Sequence, residues 1–388
     1  MRVGILTHAY PRHDGDVAGA FLERLATGLV ARGHAVHVLA PADAGRGGDE
    51  IRHGVAVTRI RYAPARSETL AYTGMMLAAL RSPLGLAWFG SLVWRQARAV
   101  RSLWTAEGLD VVHAHWWVPG GVSAWLARRP YVVTLHGMDV VLLERWPAAR
   151  VLARRVLRGA AAVTAVSSDL ADRAARALQF ERARIAVQPM PIEGARFTRT
   201  SRGGGGVVTV GRLMPRKRLD LLLDALAQLR ARGRTLPLTI IGDGPERARL
   251  ERYVAELRLG DQVRFAGAVP PERVADAIGD ADVFAFPALG EGFGLAAAEA
   301  LVLGVPVMAT RDGGGVTDIV PESGGGRLVA PEVGEIARAI EELVSDPGAR
   351  ALAAAAGAAL RRRLEPAAVA EHFETIYRRV ATGSRSNT

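Results

Sequence analysis

Alternation is the feature that most constrains this chain. Short runs of Val, Ile, Leu and Ala recur along it, each followed by a stretch of helical periodicity. In the N-terminal half the runs predict strands at Val3–Thr7, Val36–Ala40, Val55–Ile60, Val111–His115, Tyr131–Leu135, Ala162–Val166 and Ile185–Val187. Gly33 stands where a glycine closes a first helix, with His34 leading into the second strand. Near-continuous apolar strands separated by helices are buried on both faces only in a mostly parallel sheet with helices on each side. Gln188-Pro189-Met190-Pro191, running through Phe197 to Ser201-Arg202 and four glycines, reads as a linker. The alternation then restarts, with strands expected at Val207–Val210, Leu238–Ile241, Val263–Phe265, Val283–Phe286, Val305–Ala309 and Arg327–Val329.

The pattern therefore predicts an α/β chain of two Rossmann-like, doubly wound domains facing one another across a cleft, with boundaries at 1–195 and 196–364. No 20–50-residue period repeats, which excludes a solenoid. A chain of 388 residues is long enough for two full cores. It has no cysteine, so disulfides and Cys-based metal or nucleophile chemistry are excluded, which fits a cytoplasmic setting. Met1–Thr7 is too short an apolar run for a signal peptide and reads as a buried strand. The net charge of +11 suits phosphorylated substrates or an anionic membrane face. No zinc-finger spacing, RNA-recognition motif or helix-turn-helix signal points to nucleic acid.

The most specific local pattern is Glu291-Gly292-Phe293-Gly294-Leu295-Ala296-Ala297-Ala298-Glu299. A strand ending near Phe286, a loop carrying Glu291 and a helix starting at Gly294 or Leu295 would put a helix N-terminus, with its unpaired N–H groups, beside the loop. Gly292 and Gly294 let a ligand approach the backbone. At the helical rise the two carboxylates would stand on the order of 10 Å apart, a span suited to a sugar at one end and a ribose at the other. The run resembles the paired-glutamate signature of family-4 retaining glycosyltransferases, which have the two-domain GT-B fold. The resemblance implies that Glu291 holds donor-sugar hydroxyls and Glu299 the ribose, with Gly292, Phe293, Gly294 and Leu295 around the donor. It also implies a last helix, about 365–382, that returns to the N-terminal domain.

Gly211-Arg212-Leu213-Met214-Pro215-Arg216-Lys217-Arg218 is similar to that family's diphosphate-binding run. The resemblance gives Arg212 and Lys217 the donor diphosphate, with Gly211 beside them. Fixed cations there answer the charge that grows as a nucleoside diphosphate departs, in place of Mg²⁺. Arg216 and Arg218 read as solvated, and Arg218 replaces the family's usual glycine. In Gly242-Asp243-Gly244-Pro245-Glu246, Gly242 would let the backbone pass near the nucleotide; Asp243 is either a ligand contact or an N-cap. Pro245 fits a first helical turn. Asp280 and Asp282 read as caps, and no metal or other cofactor is expected. Gly313-Gly314-Gly315 reads either as a turn closing on the donor or as a loop without a ligand.

In the N-terminal half, the resemblance implies that the loop after the first strand offers Gly15 and Gly19 to the donor phosphate and Asp16 to the acceptor. Its spacing is not a dinucleotide fingerprint. His136, in Thr134-Leu135-His136-Gly137-Met138-Asp139, resembles the family histidine at the donor sugar; the alternative is a core histidine. Asp139 would orient it or bind acceptor hydroxyls, while His115 and Trp116 would line the acceptor cleft. His113 and His115 lack a third ligand at metal spacing. The resemblance implies front-face attack with retention, driven by orientation and charge rather than by a strong base.

Residues 71–104 interleave Leu84, Leu86, Trp88, Phe89, Leu92, Val93 and Trp94 with Arg95, Arg98 and Arg101. Arg81 and Pro83 break the apolar runs below spanning length. The pattern suits either an interfacial helix on anionic lipid or helices packed on the first sheet. The expected partners are a nucleotide-sugar donor, a glycan or lipid-linked acceptor and the inner face of the cell membrane, as in cell-envelope polysaccharide or glycolipid synthesis. A nucleotide-sugar 2-epimerase of similar architecture and a non-catalytic nucleotide-sugar-binding subunit are the competing readings.

Overall fold

The computed structural model describes residues 1–72, 76–192, 203–321 and 324–385. The chain divides into two compact units, Met1–Pro191 with Pro366–Thr388, and Ile192–Glu365. The boundary expected at 195/196, together with Phe197 and Ser201-Arg202 of the linker, lies outside the described residues.

Unit 1 is built on eight strands: β1 Arg2–Leu6, β2 Ala35–Pro41, β3 Gly48–Arg52, β4 Val55–Ile60, β5 Val111–His115, β6 Tyr131–Leu135, β7 Ala162–Ala165 and β8 Ile185–Val187. Their order is β3-β4-β2-β1-β5-β6-β7-β8, parallel throughout except for β3, which pairs antiparallel with β4. The sequence reading missed β3. Its Gly48-Asp49-Glu50-Ile51-Arg52 carries no apolar run, because an edge strand with an exposed surface has no core to fill. Strands β1, β5 and β6 are the reverse, with Ile5, Val111, Val132 and Leu135 fully buried.

The helix Pro366–Arg385 belongs to unit 1. Its Val369, Ala370, Phe373 and Tyr377 are fully buried. Arg32, at the end of the helix Ala20–Ala31, donates to Glu374 at 2.8 Å. The long helix Pro83–Ala106 begins on Ser82, whose hydroxyl accepts from the Gly85 amide at 3.0 Å, with Pro83 at the first helical position. It packs inward through Leu92, Val93, Ala97 and Val100.

Unit 2 holds β9 Val207–Val210, β10 Leu238–Ile241, β11 Val263–Gly267, β12 Val283–Phe286, β13 Val307–Thr310 and β14 Gly326–Val329. All are parallel, in the order β11-β10-β9-β12-β13-β14. The helix Leu219–Ala231 buries Leu222, Leu223, Ala225, Leu226 and Leu229 into a core shared with Ile336, Ile340 and Leu343. Asp282 does not cap a helix as expected: it accepts from the amides of Gly204 at 2.7 Å and Gly206 at 2.9 Å, in the loop before β9, and also meets Arg350.

Both sheets change winding direction at an interior strand pair: β1 beside β5 in unit 1, β9 beside β12 in unit 2. Open parallel sheets bind ligands outside the carboxyl ends of the strands at such a point. The segments that follow these four strands are the ones rich in chemistry.

Candidate active site

In unit 2, β9 runs into Gly211 and β12 into the loop that carries Glu291. The turn Pro215–Lys217 brings Lys217 Nζ to 2.7 Å from Glu291 Oε1 and 5.1 Å from the centre of the Phe286 ring. Arg216 Nη1 reaches the same oxygen at 3.2 Å, and Arg218 pairs with Asp312 at 2.5 Å. Arg216 stays exposed, as expected, while reaching Glu291; Arg218 does not, and the three consecutive cations tie the turn to the loops after β12 and β13. Arg218 adopts φ +47°, the left-handed conformation a glycine would take freely, and its pair with Asp312 accompanies that strained backbone. Arg212 is exposed and pairs with no carboxylate among the described residues.

The loop carrying Glu291 is fixed by its backbone. Glu291 N donates to Gly313 O, and Gly315 N donates to Glu291 O, each at 2.9 Å. Gly314 sits at φ +75°, and a Cβ there would fall 2.4 Å from the Glu291 carbonyl, so the glycine run is an anchored turn rather than a loose loop. Gly292 is half-buried and Phe293 buried; Gly294, at φ +90°, precedes the helix Leu295–Val302, which carries half-buried Glu299. Gly242 lies directly against Gly211: a Cβ on it would be 2.1 Å from the Gly211 carbonyl. Asp243 does not cap a helix. Its carboxylate accepts from Gly244 N at 2.7 Å, while the next helix starts at Arg247 behind Glu246, so Pro245 lies before the helix and not in its first turn. The result is a small crevice lined by Gly211, Leu213, Lys217, Ile241, Phe286 and Pro287.

In unit 1, β5 ends in His115 and continues into Trp116 at φ +66°, an uncommon conformation for a bulky residue. The Trp116 ring lies 4.3 Å from that of His136 and 3.9 Å from that of His8, with Phe21 5.3 Å from His136. His115 Nδ1 and His136 Nε2 share a hydrogen bond of 2.9 Å. His113 is bonded on both ring nitrogens, to the Tyr377 and Thr134 hydroxyls, each at 2.7 Å. Burial lowers the His8 pKa to about 4 and that of His113 to about 3. Burial first, then neighbouring histidines, pushes His115 and His136 well below the ordinary range. The cluster is thus a neutral aromatic surface.

Asp139 positions His136 through its backbone and not through its ring. It is buried, and its carboxylate accepts from the amides of His136 at 3.1 Å, Gly137 at 2.8 Å, Val140 at 3.1 Å and Trp117 at 3.4 Å. Burial raises its pKa against those four amides. Asp139 fixes the turn on which His136 stands. His115 is completely buried, so it supports Trp116 and His136 and does not line an open surface.

Asp16 also works locally. It accepts from Arg12 Nε at 2.7 Å and from the Ala18 and Arg12 amides, each at 3.1 Å. Burial pushes its carboxyl up, but these bonds outweigh it and hold the pKa at about 2. Gly15, at φ +80°, has open space around it; a Cβ on Gly19 would fall 2.3 Å from the Ala9 carbonyl. The sequence reading did not single out His8, Phe21, Tyr377 or Asp312 for these places. No local motif marks them, and only the fold brings them to the histidines and to Arg218. Among the described residues no three His, Asp or Glu side chains form a metal-binding group.

Two mostly parallel α/β units, each with its polar loops at a winding switch, are the architecture of the GT-B fold. Residues 201–362 match the family model described as glycosyl transferases group 1, and residues 18–191 match the glycosyl transferase 4-like domain. A 2-deoxystreptamine glucosyltransferase of Streptomyces kanamyceticus is 30% identical over 317 residues, 75% of this chain and 80% of that one. A GDP-mannose-dependent alpha-(1-6)-phosphatidylinositol monomannoside mannosyltransferase of Mycolicibacterium smegmatis is 33% identical over 256 residues, 61% of this chain and 67% of the other. The solved sucrose-phosphate synthase from Thermosynechococcus elongatus superposes with a TM-score of 0.80 at 22% identity, covering 98% of this chain and 99% of its own. The chain belongs to the family-4 glycosyltransferases and is a glycosyltransferase of the GT-B fold.

Proposed function

We propose that the protein transfers a sugar, with retention of configuration and without a metal, from a nucleoside-diphosphate sugar to a hydroxyl of a glycan or lipid-linked acceptor. The observation that carries this reading is the Lys217–Glu291 pair at 2.7 Å, set at the winding switch of unit 2. Donor binding exchanges that pair for two better ones: Lys217, with exposed Arg212, takes the diphosphate, and Glu291 accepts from sugar hydroxyls. Glu299 takes the ribose. As the bond from the anomeric carbon to the phosphate oxygen breaks, the acceptor oxygen bonds to the same face of that carbon, and its proton passes to the departing phosphate. Charge on the leaving group falls on fixed cations, which need no reorganisation. His136 and Trp116 give unit 1 a neutral, aromatic contact for the sugar.

An anionic membrane surface is part of the proposal. Leu84, Leu86 and Trp94 are 59%, 54% and 56% exposed on the helix Pro83–Ala106, whose opposite face packs inward. Arg98 stacks 5.7 Å from the Trp94 ring, and the helix contains no Asp or Glu. This composition suits the cytoplasmic face of an acidic bilayer and an acceptor carried there. Among the described residues no helix is long and apolar enough to cross a membrane.

The test is turnover with a panel of nucleotide sugars in the presence of a chelator. The Lys217→Ala variant should keep its fold and lose about 10²–10³ in kcat, the cost of removing one preorganised charge partner. Proton spectra of the first product formed should show the donor's anomeric configuration. Equal turnover in variant and wild type, or an inverted product, would refute the mechanism.

A further inference from the structure

Unit 1 contains a cavity at the opposite ends of the strands from the histidine cluster. Pro130, Ala161, Ala183 and Arg184 lie at or just before the amino ends of β6, β7 and β8, and they line a groove of about 690 Å³ with one side of the helix Pro366–Arg385. That helix contributes His372, Ile376, Arg379, Val380 and Gly383, spaced four, seven, eight and eleven positions from the first, so they form one stripe. The neighbouring Phe373 and Tyr377 are fully buried, and Ile376 and Val380 are themselves nearly so, so they meet the groove only at its floor. The groove exists because Ala161, Ala162, Ala183 and Ala186 stand where larger side chains would close the gap.

Its chemistry is two-sided. Alanines, Val163, Ile376 and Val380 make an apolar floor; Arg184 and Arg379 supply cationic groups, His372 a neutral imidazole whose pKa burial lowers, and among the described residues no carboxylate lines it. Arg184 is held in place. Its guanidinium lies 5.4 Å from the Phe180 ring, and its Nη2 donates to the Arg158 carbonyl at 3.0 Å. A guanidinium fixed beside an apolar trough recognises an anion attached to hydrocarbon, not a free sugar. The volume lies in the range of small-molecule sites, and a dodecyl chain with a phosphate would fill roughly half of it.

We infer that this groove binds an amphipathic organic anion, a single apolar chain ending in phosphate or carboxylate. Its place at the amino ends of the strands makes the ligand an effector or an anchor rather than donor or acceptor, so the inference stands apart from the proposed transfer reaction.

The experiment is calorimetric titration of the full chain with dodecyl phosphate below its micellar concentration, beside inorganic phosphate (head alone) and dodecyl maltoside (chain alone). Dodecyl phosphate should bind at a single site, about tenfold or more tighter than either control. The Arg184→Ala/Arg379→Ala double variant should lose about tenfold in affinity while its thermal midpoint stays near that of wild type. Ala162→Leu, which fills the floor, should weaken binding with both arginines intact. Imidazole resonances of His372 should shift on saturation, placing the ligand in the groove. Equal binding of dodecyl maltoside, unchanged affinity in the double variant, or binding with His372 unmoved would each overturn the inference.

Discussion

Lowering the pH from 7 to 5 should destabilise unit 1 selectively, and the size of the effect follows from its buried histidines. His8 and His113 titrate at about 4 and about 3 in the folded protein, because burial disfavours the imidazolium; the ordinary value is 6.5. A base whose folded pKa is depressed contributes its full stabilisation above the unfolded value and loses it as pH falls below that value. Each such group costs about 1.4 kcal/mol per pH unit, so two cost roughly 4 kcal/mol between pH 6.5 and 5. His115 and His136 add in the same direction. Asp139 opposes them, since burial raises its carboxyl, but one group offsets at most one histidine. Asp16, held at about 2, stays ionised throughout this window.

The readout is convenient. All seven tryptophans lie between Trp88 and Trp146, within unit 1, so fluorescence-monitored urea unfolding reports that unit alone. Stability should fall by roughly 4 kcal/mol between pH 7 and 5, a large share of a typical domain's total. A change below about 1 kcal/mol would refute the claim that these rings are buried and neutral.

Three further outcomes follow from other parts of the structure. Gly242→Ala combines φ +125° with a 2.1 Å contact to the Gly211 carbonyl, and should cost at least about 3 kcal/mol and abolish nucleotide binding. Gly233→Ala, at φ +79° with nothing within 4 Å, should cost only about 1 kcal/mol in the same denaturation assay. Full-length protein should sediment with vesicles containing anionic lipid at low salt and dissociate at high salt; Trp94→Ala with Arg95→Ala and Arg98→Ala should stay in solution.

Much of the fold was legible because burial leaves a direct trace. β4, β5, β6, β9, β10 and β12 have the bounds that their apolar runs predict. β3 left none, since its partners are solvent and one neighbour. The start of the helix at Leu295 was readable from Gly294, whose left-handed conformation few other residues tolerate. The electrostatic wiring was not. Nothing within Pro215-Arg216-Lys217-Arg218 says that Asp312, almost a hundred residues on, will meet the last of these cations. Nor does Tyr377 announce itself as the partner of His113. Such pairs are set by tertiary geometry, which periodicity does not encode. Asp139 shows another limit: the sequence left it to orient His136 or to bind acceptor hydroxyls, and only its burial and its bonds to the His136 and Gly137 amides decide.

The central claim is that Lys217, Glu291 and Glu299 form a nucleoside-diphosphate-sugar site. The most direct measurement is titration of UDP, GDP, ADP and their common sugar conjugates, with chelator present, into wild type, Lys217→Ala and Glu299→Ala. The account predicts one preferred nucleotide, bound without metal and weakened about tenfold or more in each variant. Unchanged affinity in both variants, or no nucleotide bound by the wild type, would contradict it.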